Sequence, residues 1–150
     1  MILNQGAYFL LAFASIGTLL SASLFIPNAE GSLGVDALAV KKYASLFTSL
    51  WFLSTLIGVF LRIADILGVP LSQSFDRATI TSYLTQTDLG RSYFAQLIGV
   101  AVISFAIPLI KRALPLVIFT GLAIVVLVIP IFQSHAASSG SHSLAIGSLV

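Results

Sequence analysis

Both histidines of this chain, His135 and His142, fall in one short stretch, SHAASSGSHS, Ser134 to Ser143, between apolar segments. Imidazole is a ligand for copper, zinc, iron and nickel, and it titrates near neutrality. On a helix, residues seven apart stand about 10.5 Å apart along the axis. That separation is too long for both rings to reach one ion through bonds of about 2 Å. A loop removes the difficulty. Gly140 sits among serines between the two rings, and glycine takes left-handed dihedrals without steric cost. The H-x6-H spacing is unspecific by itself, and an ordinary solvated connector would read the same way. Further ligands would come from carboxylates, from the N-terminus or from residues beyond Val150. Asp65, at the end of an apolar segment, is the first candidate and Asp88 the second.

Other chemistries find little foothold. There is no Cys and a single Met, Met1, so disulfides, iron–sulfur ligation and thiol catalysis by this chain are excluded. Haem held between two helices needs axial histidines on both, whereas these two share one connection; no haem is expected within these residues. No phosphate loop, nucleophile elbow or metalloprotease helix is present, so no enzymatic turnover is expected. The seven basic residues are scattered and the formal net charge is +2, which gives no nucleic-acid patch. Arg62 and Asp65 stand three apart, the spacing of an ion pair on a helix; in the functional alternative Asp65 belongs to a cation path. Trp51 and the phenylalanines read as packing or lipid-facing residues.

The elements that must carry these residues belong in a membrane. The chain has 150 residues, 58% hydrophobic and 8% charged, with mean hydropathy +1.08, against about 25% charged in soluble domains. About 20 apolar residues cross a bilayer. Four segments qualify, at about 6–26, 43–67, 88–110 and 114–132, and LAIGSLV from Leu144 opens a fifth. The expected fold is therefore an all-α polytopic transmembrane helix bundle forming a single domain over 1–150, read as part of a longer chain. Asp36 is a possible earlier cap for the second helix, and Gly68-Val69-Pro70 ends it. Thr85 to Asp88, TQTD, has capping-box spacing. Gly17 with Ser21, and Thr18 with Ala22, form a small-residue face suited to close helix approach. Leu71 to Thr87 is too polar to span; Phe75, Ile80, Tyr83 and Leu84 share one side of a short interfacial helix.

Orientation follows from the basic residues, which favour cytoplasmic loops. Lys41–Lys42 and Lys111–Arg112 fall on one side, against Arg62, Arg77 and Arg91 on the other. This places the N-terminus outside, and His135 and His142 on the outer face together with Asp65, Asp76 and Asp88. The lipid bilayer and neighbouring transmembrane helices are the expected partners, with no nucleic acid.

TQTDLGRSYFAQLIGVAV, a basic turn, an apolar helix and then SHAASSGSHSLAIGSLV resembles the bacterial copper resistance protein D (CopD) family. The carrying features are the Thr-x-x-Gly-Arg-like stretch, Thr87 to Arg91, then His135-Ala136 and His142-Ser143-Leu144-Ala145. RIADILGVPL, Arg62 to Leu71, is similar to the second-helix exit of actinobacterial members, some fused to a CtaG-like cytochrome c oxidase assembly domain. The resemblance implies copper uptake or delivery at the bacterial inner or plasma membrane, with copper at His135 and His142. It also implies a periplasmic or extracellular copper chaperone, or an oxidase assembly factor, as partner. The competing expectation is a structural subunit of a respiratory or other membrane complex that binds no metal.

Overall fold

The computed structural model describes residues 2–26, 31–68, 70–71 and 75–129. Within them the backbone is helical, apart from one isolated antiparallel bridge between Ser32 and Arg112. Helix α1 spans Ile2–Leu20 and ends in a π-helical turn, Ser21–Phe25. Helix α2 spans Val35–Leu67, α3 Arg77–Gln86 and α4 Asp88–Ala106; α4 closes in a 3-10 turn, Ile107–Leu109. Helix α5 covers Ala113–Ile129. The first, second and fourth helices are long and apolar enough to cross a membrane, and α5 is shorter. The expected fifth span from Leu144, and the end of the fourth beyond Ile129, lie outside the described residues.

The boundaries correct the expectations at several points. Helix α2 takes the earlier of the two starts read from sequence, at Val35 rather than near 43, but its cap position is Gly34, with Asp36 inside the first turn. An acid there still opposes the positive end of the helix dipole. Gly68 ends α2 at φ 62°, its N–H reaching the carbonyls of Ala64 and Asp65, a left-handed stop that glycine takes without strain. At the start of α4 the cap is Thr87 rather than Thr85: its hydroxyl oxygen accepts from Gly90 N–H at 2.9 Å. Thr85 instead donates back to the Thr81 carbonyl.

Alternating contacts make α1, α2, α4 and α5 an up-and-down bundle. Asn4 of α1 donates to the Ser54 carbonyl of α2. Ser104 of α4 donates to the Thr48 carbonyl of α2. Gly99 of α4 faces Val126 of α5 so closely that a Cβ there would stand 2.4 Å from a Val126 methyl. Alanine and other compact residues, Ala12, Ala22, Ala37, Ala44 and Ala123, fill the core beside Leu19, Trp51, Val100, Ile103, Ile107 and Leu116. Small residues let helix backbones approach where lipid provides no hydrophobic drive for association. The small-residue face expected around Gly17 is only half used. Ala22 is buried, but Gly17 has open space around it, and the buried stripe of α1 runs through Ala12, Ser15 and Leu19. Ser15, Thr18 and Ser21 return their hydroxyls to carbonyls one turn back, so none needs a partner in lipid.

The expected interfacial helix is α3. Tyr83 is buried, and Ile80 and Leu84 pack with it against Val59 and Ile63 of α2. Phe75 lies 4.6 Å from the ring of Phe60.

Candidate functional site

The connections after α1 and after α4 meet at one end of the bundle. Leu33 N–H donates to the Lys111 carbonyl and Ala113 N–H to the Gly31 carbonyl, both at 3.1 Å. The two basic doublets therefore share one end. Their side chains differ in role. Lys42, Lys111 and Arg112 are exposed, whereas Lys41 is 8% exposed. Its ammonium donates to the carbonyls of Pro108 at 3.0 Å and Ile110 at 2.6 Å. A cation at the C-terminal end of a helix satisfies carbonyls that have no partner in the next turn.

The opposite end, called here the α3 end, carries the N-terminus of α1, the C-terminus of α2, helix α3 and the start of α4. Helix α5 runs toward it, since Val126 is level with Gly99. Three carboxylates gather there, in three different states. Asp76 caps α3, accepting from the N–H and the hydroxyl of Thr79, each at 2.9 Å. These bonds hold its carboxyl below the ordinary aspartate range. Asp88 pairs with Arg91 at 2.5 Å on the exposed first turn of α4. Asp65 is exposed on the last turn of α2, and among the described residues its carboxylate has neither an ion pair nor a hydrogen bond.

The Arg62–Asp65 pair read from spacing is not formed. Arg62 instead lies over the ring of Tyr93 on α4, 4.8 Å from its centroid. The guanidinium is drawn onto the Tyr93 ring of α4, while Asp65, three residues on, stays exposed.

Among the described residues, no three His, Cys, Asp or Glu side chains converge in a group able to hold a metal ion. His135 and His142 lie outside the described residues. Of the candidate ligands, Asp65 and Asp88 are described; Asp88 is paired with Arg91, and Asp65 stands unengaged at the end toward which α5 leads.

Sequence reasoning missed a buried polar contact in the α3-end half of the bundle. Gln96 of α4 is fully buried. Its amide nitrogen donates to the Tyr8 hydroxyl of α1 and to the Val126 carbonyl of α5 at 3.3 Å. Tyr8 meets Trp51 of α2 edge to face at 6.1 Å. One side-chain amide therefore ties three helices. Gln96 was legible as the only amide inside the third apolar segment, though its partners were not.

The motif around Thr87 also acquires a physical reading. The Thr87 hydroxyl donates to the Tyr83 carbonyl at 2.8 Å while accepting from Gly90 N–H. That carbonyl oxygen lies 1.9 Å from where a Cβ on Gly90 would stand. Thr-x-x-Gly at this place builds the tight corner between α3 and α4. The copper resistance protein D-like, N-terminal domain family matches residues 1–144. The chain belongs to this family. No curated protein and no solved structure is detectably similar to it. Family and apolar helices together point to a membrane protein concerned with copper.

Proposed function

We propose that this CopD-like chain handles copper at the bacterial cell membrane, taking the ion at the outer face and passing it inward or to a partner. The α3 end is the outer face in this reading, with the N-terminus outside. His135 and His142 are the main ligands and Asp65 supplies a carboxylate. The observation that carries the reading is Asp65. Of the three acids at the α3 end, Asp76 and Asp88 are engaged within the protein and Asp65 is not. An unengaged carboxylate beside a membrane attracts cations. Imidazole and carboxylate together suit copper(II), whereas copper(I) prefers sulfur, which this chain almost lacks. Binding needs neutral imidazoles and weakens as pH falls below about 6.5. Supply of the ion to cytochrome c oxidase assembly, through a chaperone or assembly factor, is the use suggested by the fused relatives. No catalytic turnover belongs to this reading.

The test is copper accumulation in cells carrying the full-length protein. Asp65→Asn and His135→Ala should each lower accumulation with protein levels unchanged. Unaltered accumulation in both variants would favour the structural-subunit reading.

A further inference from the structure

Arg62, near the α3 end of α2, has no part in the copper reading. Lys41, the buried cation near the other end of α2, stands about 32 Å away along the axis at 1.5 Å per residue. That distance matches the hydrocarbon thickness of about 30 Å. With Lys41 closing one boundary of the apolar run, Arg62 falls at the other, where lipid phosphates lie.

Among the described residues no carboxylate pairs with Arg62. One face of the guanidinium is covered by Tyr93. Among the described residues it has no ion pair and no hydrogen bond, although Asp65 is only three residues away. A guanidinium carries five donors in a planar fork that matches phosphate oxygens, and a charge at membrane depth requires a partner.

Beside it runs a groove of about 470 Å3 between the last turns of α2 and the length of α3. Ile63, Ile66 and Leu67 form an apolar wall, while Thr79, Ser82 and Gln86 form a polar one. Arg62 does not line the groove itself but adjoins it through Tyr93. Tyr93, which carries Arg62, packs on the cluster of Val59, Ile63 and Tyr83, and Ile63 and Tyr83 line the groove. The Tyr83 hydroxyl, buried and unpartnered among the described residues, is pushed up by burial while the charge of Arg62 opposes the shift. Among the described residues no acid lines the groove. One apolar wall, one hydroxyl-and-amide wall and a free cation at the same level complement an amphiphile with a single negative group.

We infer that the α2–α3 groove seats one phospholipid, its phosphate on Arg62, one acyl chain against Ile63, Ile66 and Leu67, and its glycerol esters toward Thr79, Ser82 and Gln86. This site is separate from the copper reading and does not depend on it. An interfacial helix lies at the boundary of headgroups and acyl chains, the depth such a lipid occupies. Bound there, the lipid acts as a wedge between α3 and the bundle and steadies the corner at Thr87.

Native mass spectrometry of the full chain in detergent, titrated with phosphatidylglycerol, tests this. Arg62→Gln should weaken binding of the tightest lipid about tenfold, as expected for loss of charge-assisted hydrogen bonds. Arg62→Lys should recover part of it. Ser82→Phe, which fills the groove without touching the charge, should weaken it similarly, and it decides the matter should Arg62→Gln fail to fold. Diacylglycerol with the same chains should bind far more weakly. Wild-type retention in Ser82→Phe or in a folded Arg62→Gln, or equal binding of diacylglycerol, overturns the proposal. Displacement of the lipid by millimolar inorganic phosphate also overturns it, since a free anion would then be the ligand.

Discussion

The ammonium of Lys41 on α2 reaches the carbonyl of Ile110, 69 residues further along the chain, at 2.6 Å. It also takes the Pro108 carbonyl, so a single side chain closes the end of α4 onto α2. Its neighbour Lys42 is exposed. Hydrogen bonds from a charged group contribute about 1.5–3 kcal/mol each when buried. Lys41→Met should therefore lower stability by about 2–4 kcal/mol, and Lys42→Met by less than about 0.5 kcal/mol. Reversible unfolding in mixed micelles measures both. Equal effects of the two changes would remove the capping role.

Gln96 and Tyr8 should be coupled. Interhelical hydrogen bonds in membranes average about 0.6 kcal/mol and reach about 1.7. A double-mutant cycle with Tyr8→Phe and Gln96→Leu should give a coupling in that range. The double variant should then be less destabilised than the sum of the single changes.

Gly90 tolerates no side chain. A Cβ would meet the Tyr83 carbonyl oxygen at 1.9 Å, and backbone cannot move aside as a side-chain tip can. Gly90→Ala should cost about 1–3 kcal/mol and loosen α3 from α4, visible as faster amide exchange in α3. Gly17→Ala, with open space around it, should leave stability unchanged or slightly raised through helix propensity.

Helix α3 should respond to acid. Thr79 holds the Asp76 carboxyl below its ordinary value. A depressed carboxylate contributes stability above its unfolded pKa and loses it as pH falls through the folded one. Protection of the first amides of α3 should thus be full near neutrality and decline below about pH 4. Asp76→Ala should remove this dependence, whereas Asp76→Asn, still a good cap, should keep the helix start and lose the pH response.

Hydropathy alone located the apolar segments, because lipid exposure leaves long runs without charge, and composition was enough to separate α3 from the spans. The starts were harder. Val35 begins α2 about eight residues before the apolar run thickens at Tyr43, because helix continues through Lys41 once its ammonium has carbonyls to cap. Thr87 and Thr85 are indistinguishable as caps in sequence; the closeness of Tyr83 to Gly90 selects Thr87. Arg62 with Asp65 failed as a pair because spacing on one helix cannot show an aromatic ring arriving from another. Gln96, Tyr8 and Val126 lie far apart in sequence, and only the packing of three helices joins them. Of the expected metal ligands, Asp65 was legible as an acid at a helix end, and its lack of a partner emerged only when Arg62 was seen on Tyr93.

The copper reading is tested most directly at the imidazoles. Isothermal titration of copper(II) into the full-length protein in detergent at pH 7.5, repeated for His135→Ala, His142→Ala, the double change and Asp65→Asn, addresses it. The account predicts that each single His→Ala change lowers affinity at least about tenfold, one ligand's worth of about 1.4 kcal/mol or more. The double change should add little, because two ligands of one ion act together. Asp65→Asn should weaken binding by a smaller factor. Unchanged copper affinity in the double His→Ala variant would contradict the account and leave Ser134 to Ser143 as a connector between helices.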